Sequence, residues 1–131
     1  MRRDALTARW NGLPLVSRAK PVLPRLTQDQ MDEIVAKLRV FFNKWTVEII
    51  MVLGQRDAVR FNELKSALTS ISGRTLSQRL RDLEGQGLVR RTVFDEMPVR
   101  VEYALTTRGA QVAKLALPLV LYLMDERPAR G

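Results

Sequence analysis

Residues 72 to 91 read SGRTLSQRLRDLEGQGLVRR, a stretch with five arginines and two acids. A guanidinium is a planar fork of N–H donors that grips phosphate, carboxylate or the O6/N7 edge of guanine. Spacing decides whether such forks are presented together. Leu76, Leu80 and Leu83 recur at three- and four-residue intervals, which stacks them on one face of a helix. Arg74, Gln78 and Arg81 then fall on the opposite side, flanked by Thr75, Ser77 and Asp82, with Arg79 completing the set of donors. Arginine can hold guanine, glutamine can read adenine, and either can bond a phosphate oxygen. Ser72 is the expected cap, and the free amides at that end suit a phosphate. The competing reading is a solvated helix whose arginines pair with Asp82 and Glu84. It loses ground because the acids are too few and a basic hairpin follows at once.

The rest of the composition narrows the chemistry. The chain has 131 residues, a formal net charge of +8, 46% hydrophobic and 27% charged residues. A packed core is within reach, and the basic excess favours a polyanion, nucleic acid before a membrane surface. There is no cysteine and no histidine. Disulfides, thiol switches, ordinary zinc sites and the commonest general base are thereby excluded. No catalytic triad, GxGxxG or P-loop pattern is present, so the expectation is no enzyme, no cofactor and no metal. The opening MRRDALTARWNGLPL lacks a continuous apolar stretch and makes a poor signal peptide. The longest apolar run, LALPLVLYLM at 115 to 124, is about half of the roughly 20 residues a membrane span needs. A soluble, cytoplasmic protein is expected.

The elements that must position the arginines can be read along the chain. Residues 1–26 form a basic, proline-containing arm, either a loosely ordered tail or a strap touching DNA or a partner subunit. Thr27 and Gln30 match a capping box ahead of a helix whose Met31, Ile34, Val35, Leu38, Phe41 and Phe42 make a wide apolar stripe. A second helix, about Trp45 to Leu53, is apolar nearly all round and should lie in the core. AVRF is a short candidate strand, and NELKSAL a brief helix with Asn62 as its cap and Leu64 and Leu68 inward. After the arginine helix, LVRRTVF and VRVEYAL flank DEMP as a hairpin. In its second run Val101, Tyr103 and Leu105 face one way and Arg100, Glu102 and Ala104 the other; the first run does not alternate. A last helix starts near Thr106 or Thr107, and Pro118 should kink or divide it.

Helix, short helix, turn, polar-faced helix and hairpin is the order of a winged helix-turn-helix: mainly α with a small β-hairpin, an α+β fold. Arg90, Arg91 and Arg100 are the candidate DNA contacts on the wing, against the alternative that they pair with Glu102, or with Asp95 and Glu96 at the turn. Within residues 44 to 109, the pieces KWT, RFNEL, IS followed by LSQRLRDLE, GLV and P-x-R-V-E-Y-x-L-T-x-x-G occur in order. As a set they resemble an HxlR-type winged helix-turn-helix transcriptional regulator, within the wider MarR-like group. The resemblance implies a DNA-binding homodimer paired through terminal helices, each wing flanking a recognition helix. Two departures stand out. The cysteine some members use as a redox sensor, expected near Met31 and Asp32, is absent, and the usual GGKW is FNKW.

Dimerisation is expected on the residues too. The closing helix is apolar on nearly all sides and needs more cover than one small domain offers, against the alternative that it tucks onto the Met31 to Phe42 stripe of its own chain. Leu38, Phe41, Val112, Leu115, Leu119 and Leu123 are the interface candidates. The expected organisation is therefore arm 1–26, DNA-binding domain 27–109 and dimerisation helix 110–131. The expected function is transcription regulation: a recognition helix in the major groove of double-stranded DNA at a palindromic operator, and a basic wing beside it. The alternative is a winged-helix protein-interaction or nonspecific architectural module. A small-molecule effector is left open and unidentified.

Overall fold

A computed structural model of the chain describes residues 23–125. The arm expectation for residues 1–22 and the dimerisation-helix expectation for residues 126–131 lie outside them. The described chain falls into two compact units. One is residues 41–117; the other combines the described parts of 1–40 and 118–131. The first helix is thus grouped with the end of the last one, whereas the sequence reading placed it with residues 27–109.

In the smaller unit, helix α1 (Gln28–Phe41) begins as its sequence dictates. The Thr27 amide donates to Gln30 Oε1 at 2.9 Å and the Gln30 amide to Thr27 Oγ1 at 3.2 Å, so two amides without helical partners are satisfied reciprocally. None of its side chains is buried, and Met31, Ile34, Val35, Leu38 and Val40 all stand exposed.

The larger unit holds the core. Helix α2 (Thr46–Leu53) buries Thr46, Ile49, Ile50 and Leu53, as its apolar surround predicts. It is entered through Trp45, a non-glycine residue at φ 79°, a left-handed conformation that costs on the order of 1 kcal/mol. Strand β1 (Val59–Arg60) runs straight into α3 (Phe61–Ala67), whose Leu64 is fully buried. Asn62 is not the cap: it lies inside the first turn. Arg60, still extended at ψ 155°, holds the cap position, and its amide donates to Glu63 Oε1 at 3.1 Å. The strand-to-helix switch comes two residues earlier than expected because Glu63 reaches back to the strand's last amide.

Leu68 and Ile71 bury the turn that leads to α4 (Gly73–Gly85). Strands β2 (Val89–Phe94) and β3 (Arg100–Leu105) follow, and β1 joins them in an antiparallel sheet of order β1-β3-β2. The short AVRF strand therefore widens the expected hairpin into three strands. The register pairs Val89 with Leu105, Arg91 with Tyr103 and Val93 with Val101, which assigns the faces of the first run. Val89, Arg91 and Val93 share the Tyr103 side; Arg90, Thr92 and Phe94 share the side of Arg100 and Glu102.

The final helix α5 (Thr107–Met124) is rooted at the base of this hairpin. Thr106 Oγ1 donates to the Gly87 carbonyl at 2.6 Å and accepts from the Gly109 amide at 3.0 Å, while the Thr106 amide donates to the Leu88 carbonyl. A Cβ on Gly109 would lie 2.0 Å from the Leu88 carbonyl oxygen, so only glycine fits. Both ends of the T-x-x-G pattern thus close on the turn after α4, where Gly87 takes φ +72°. The helix passes through Pro118 without being divided.

Candidate nucleic-acid interface

Helix α4 is built from both ends of its amphipathic pattern. Ser72, at ψ 152°, accepts the Thr75 amide on its Oγ at 3.1 Å and donates its hydroxyl to Thr75 Oγ1 at 2.9 Å. That cap fixes where the helix starts, and hence which residues face inward. Leu76, Leu80 and Leu83 are at most 1% exposed in the core. Fully burying a leucine is worth about 2 kcal/mol, so the three together clamp the inner face. Arg74, Gln78 and Arg81 are exposed on the outer face, with Thr75, Ser77 and Asp82 half-buried beside them, as the spacing predicts.

The donors on this face are not equivalent. The Arg74 side chain makes no hydrogen bond or ion pair among the described residues. Arg81 Nη2 donates to Gln78 Oε1 at 3.0 Å, and Gln78 Nε2 donates to Asp82 Oδ1 at 2.9 Å. Arg79 is committed elsewhere. Its Nε donates to the Lys44 carbonyl at 3.0 Å, its Nη1 pairs with Asp82 Oδ2 at 3.2 Å, and its side chain is only 20% exposed. Sequence reasoning placed Arg79 among the DNA donors; the structure makes it a tie between α4 and the turn that carries the left-handed Trp45. No local signal marks this, because the acceptor is a backbone carbonyl 35 positions away.

The hairpin divides its arginines as well. Arg90 and Arg91 are exposed, with side chains free of polar partners among the described residues, but the register sends them to opposite faces near the hairpin's base. Arg100, expected on DNA from the wing, is already spoken for. Its guanidinium carbon sits 3.9 Å from the centroid of the Phe94 ring, with Glu96 at 3.2 Å and Glu102 at 3.4 Å. Two carboxylates surround this one cation, the pairing weighed above as the alternative to a DNA contact. The wing turn itself carries Asp95 and Glu96 beside an exposed Met97 and Val99. The tip is acidic and apolar; the basic part of the hairpin is its root.

Of the interface candidates on the terminal helices, Leu38, Leu115, Leu119 and Leu123 are exposed. Phe41 and Val112 instead pack, half-buried, against the core of their own chain. Among the described residues no cluster of His, Cys, Asp or Glu could hold a metal, and no helix is long and apolar enough to cross a membrane.

This geometry has close counterparts. Residues 40–127 match the model of the HxlR-like helix-turn-helix family. The uncharacterized HTH-type transcriptional regulator YvaP of Bacillus subtilis (strain 168) is 41% identical over 76 residues, 58% of this chain and 69% of YvaP. The uncharacterized HTH-type transcriptional regulator YtfH of Escherichia coli (strain K12) is 34% identical over 97 residues, 66% of this chain and 76% of YtfH. Across eight such curated relatives the match spans from 48 to 76% of the relative's own length. Among solved structures, a protein described as a MarR-family transcriptional regulator from Porphyromonas gingivalis W83 superposes with a TM-score of 0.69 at 32% identity, covering 78% of this chain and 99% of that one. The helix-turn-helix region is therefore matched by sequence and the fold by shape. The chain belongs to the HxlR-like helix-turn-helix family, and is a DNA-binding transcriptional regulator rather than an enzyme.

Proposed function

We propose that the chain reads a palindromic operator as a twofold dimer, with the outer face of α4 in the major groove. The observation that carries this reading is the division of α4 into a side clamped by Leu76, Leu80 and Leu83 and a side where Arg74, Gln78 and Arg81 stand exposed. Arg74 and Arg81 grip guanine or phosphate, Gln78 an adenine edge or phosphate, and the Ser72-capped helix end a backbone phosphate. Ser77 and Thr75 border the contact. Arg90 and Arg91 add sequence-blind phosphate contacts from the hairpin root. Arg79 supports the helix rather than touching DNA, and Arg100 holds the wing together.

Pairing of subunits is supported by apolar surface on the terminal helices. Leu38 is 47% exposed, Leu115 76%, Leu119 48% and Leu123 72%. A second copy would cover them and set two α4 helices about 34 Å apart, one turn of DNA. A cysteine-based redox signal has no thiol to act on in this sequence. Selection of genomic fragments with the purified chain tests the reading: enrichment of a dyad-symmetric site supports it, and enrichment without sequence preference contradicts it. The second reading, a winged-helix module docking on proteins or binding DNA nonspecifically, draws on the acidic, apolar wing tip with Met97 96% exposed. It predicts equal affinity for the enriched fragment and a scrambled duplex at one salt concentration.

A further inference from the structure

One side chain of α4 is used by neither the clamp nor the proposed DNA contacts, yet both of its oxygens are occupied. Asp82 accepts Arg79 Nη1 on Oδ2 at 3.2 Å and Gln78 Nε2 on Oδ1 at 2.9 Å. Arg79 is itself fixed by the Lys44 carbonyl at 3.0 Å, and Gln78 in turn accepts Arg81 Nη2 at 3.0 Å. The side chains form one chain of bonds: Lys44 carbonyl, Arg79, Asp82, Gln78, Arg81. It begins on backbone in the core-packed turn and ends on an exposed guanidinium.

We propose that Asp82 is a positioning residue that, through Gln78, aims Arg81 at a guanine edge. Helical pairs at these spacings are individually weak and fix little. The difference here is the anchor. Arg79 is 20% exposed and tied to backbone 35 residues away, so its end of the carboxylate is held in place. A fixed Asp82 fixes the amide of Gln78, and the amide spends one of Arg81's five N–H donors, leaving four in a defined plane. Reading guanine O6 and N7 needs two of them, coplanar. Holding the fork before DNA arrives removes part of the ordering cost of the contact. Asp82 also places a negative charge beside the duplex. An ordinary phosphate-binding face would not keep it, whereas a face built for selectivity gains by weakening sequence-blind binding.

The inference rests on the proposed reading of base recognition by α4, and its test separates the two. A library of randomised duplexes is selected at one salt concentration with the wild-type chain, Arg81→Ala and Asp82→Asn. Affinity for a scrambled duplex is measured alongside. Arg81→Ala is expected to erase the preference for guanine at one position of the half-site. Asp82→Asn is expected to weaken the preference at that same position about tenfold, leave positions read by neither Arg81 nor Gln78 unchanged, and bind the scrambled duplex at least as well as wild type. Asp82→Ser, which also lacks the carboxylate, should behave alike and serves if the asparagine variant does not fold. An Asp82 variant that keeps the preference, or loses affinity evenly at every position and for the scrambled duplex, overturns the positioning role. A wild-type chain that selects no motif overturns the proposed function along with it.

Discussion

Helix α4 and the β2–β3 hairpin look alike in sequence, each an apolar face backed by arginines, but they spend those arginines differently. On α4 the acids are placed so that Arg79 is consumed while Arg74 and Arg81 stay at the surface. On the hairpin, Glu96 and Glu102 converge on Arg100, which also lies on Phe94. The helix exports positive charge, as does the hairpin root at Arg90 and Arg91, whereas the wing beyond that root consumes its own in holding its shape. Whether an arginine is offered to a partner depends on where the acids fall in the helical or strand register, rather than on how many arginines a segment contains.

Four substitutions sharpen or break this comparison. Leu80→Ala removes a fully buried side chain of the α4 clamp and should cost about 2–5 kcal/mol, read from chemical denaturation. Gly109→Ala forces a methyl onto the Leu88 carbonyl at the hairpin root and should cost about 3 kcal/mol by the same assay. Arg81→Ala should leave stability within about 0.5 kcal/mol of wild type and weaken binding to a selected duplex by about 1–3 kcal/mol in an anisotropy titration. The smallest effect is expected at the wing. Arg100→Ala should alter stability by less than about 1 kcal/mol and leave the salt dependence of DNA binding unchanged, because no net charge is withdrawn from a phosphate. A salt slope reduced by about one unit would show Arg100 on the backbone after all, and the contrast between helix and wing would fail.

The parts legible in the sequence are those fixed by local spacing. The Thr27–Gln30 box, the Ser72 cap, the inward leucines of α4 and the alternation of β3 all depend on residues within a few positions of one another. What escaped depends on partners far along the chain or on competition between near-equal candidates. Asn62 is a good cap by type, but Glu63 satisfies the strand's last amide first. The tie of Arg79 to the Lys44 carbonyl and the packing of Phe41 and Val112 against the core of residues 41–117 also involve partners that local spacing does not show. The two-residue β1 carries too little pattern to announce that it pairs with β3.

The most direct test of the account removes both outward guanidiniums at once. The Arg74→Ala/Arg81→Ala chain and wild type are titrated against a selected duplex and a scrambled one at the same salt concentration. Loss of about a hundredfold on the selected duplex, with a much smaller loss on the scrambled one, is the predicted result. Equal losses on both duplexes, or none on either, would contradict a base-reading face on α4.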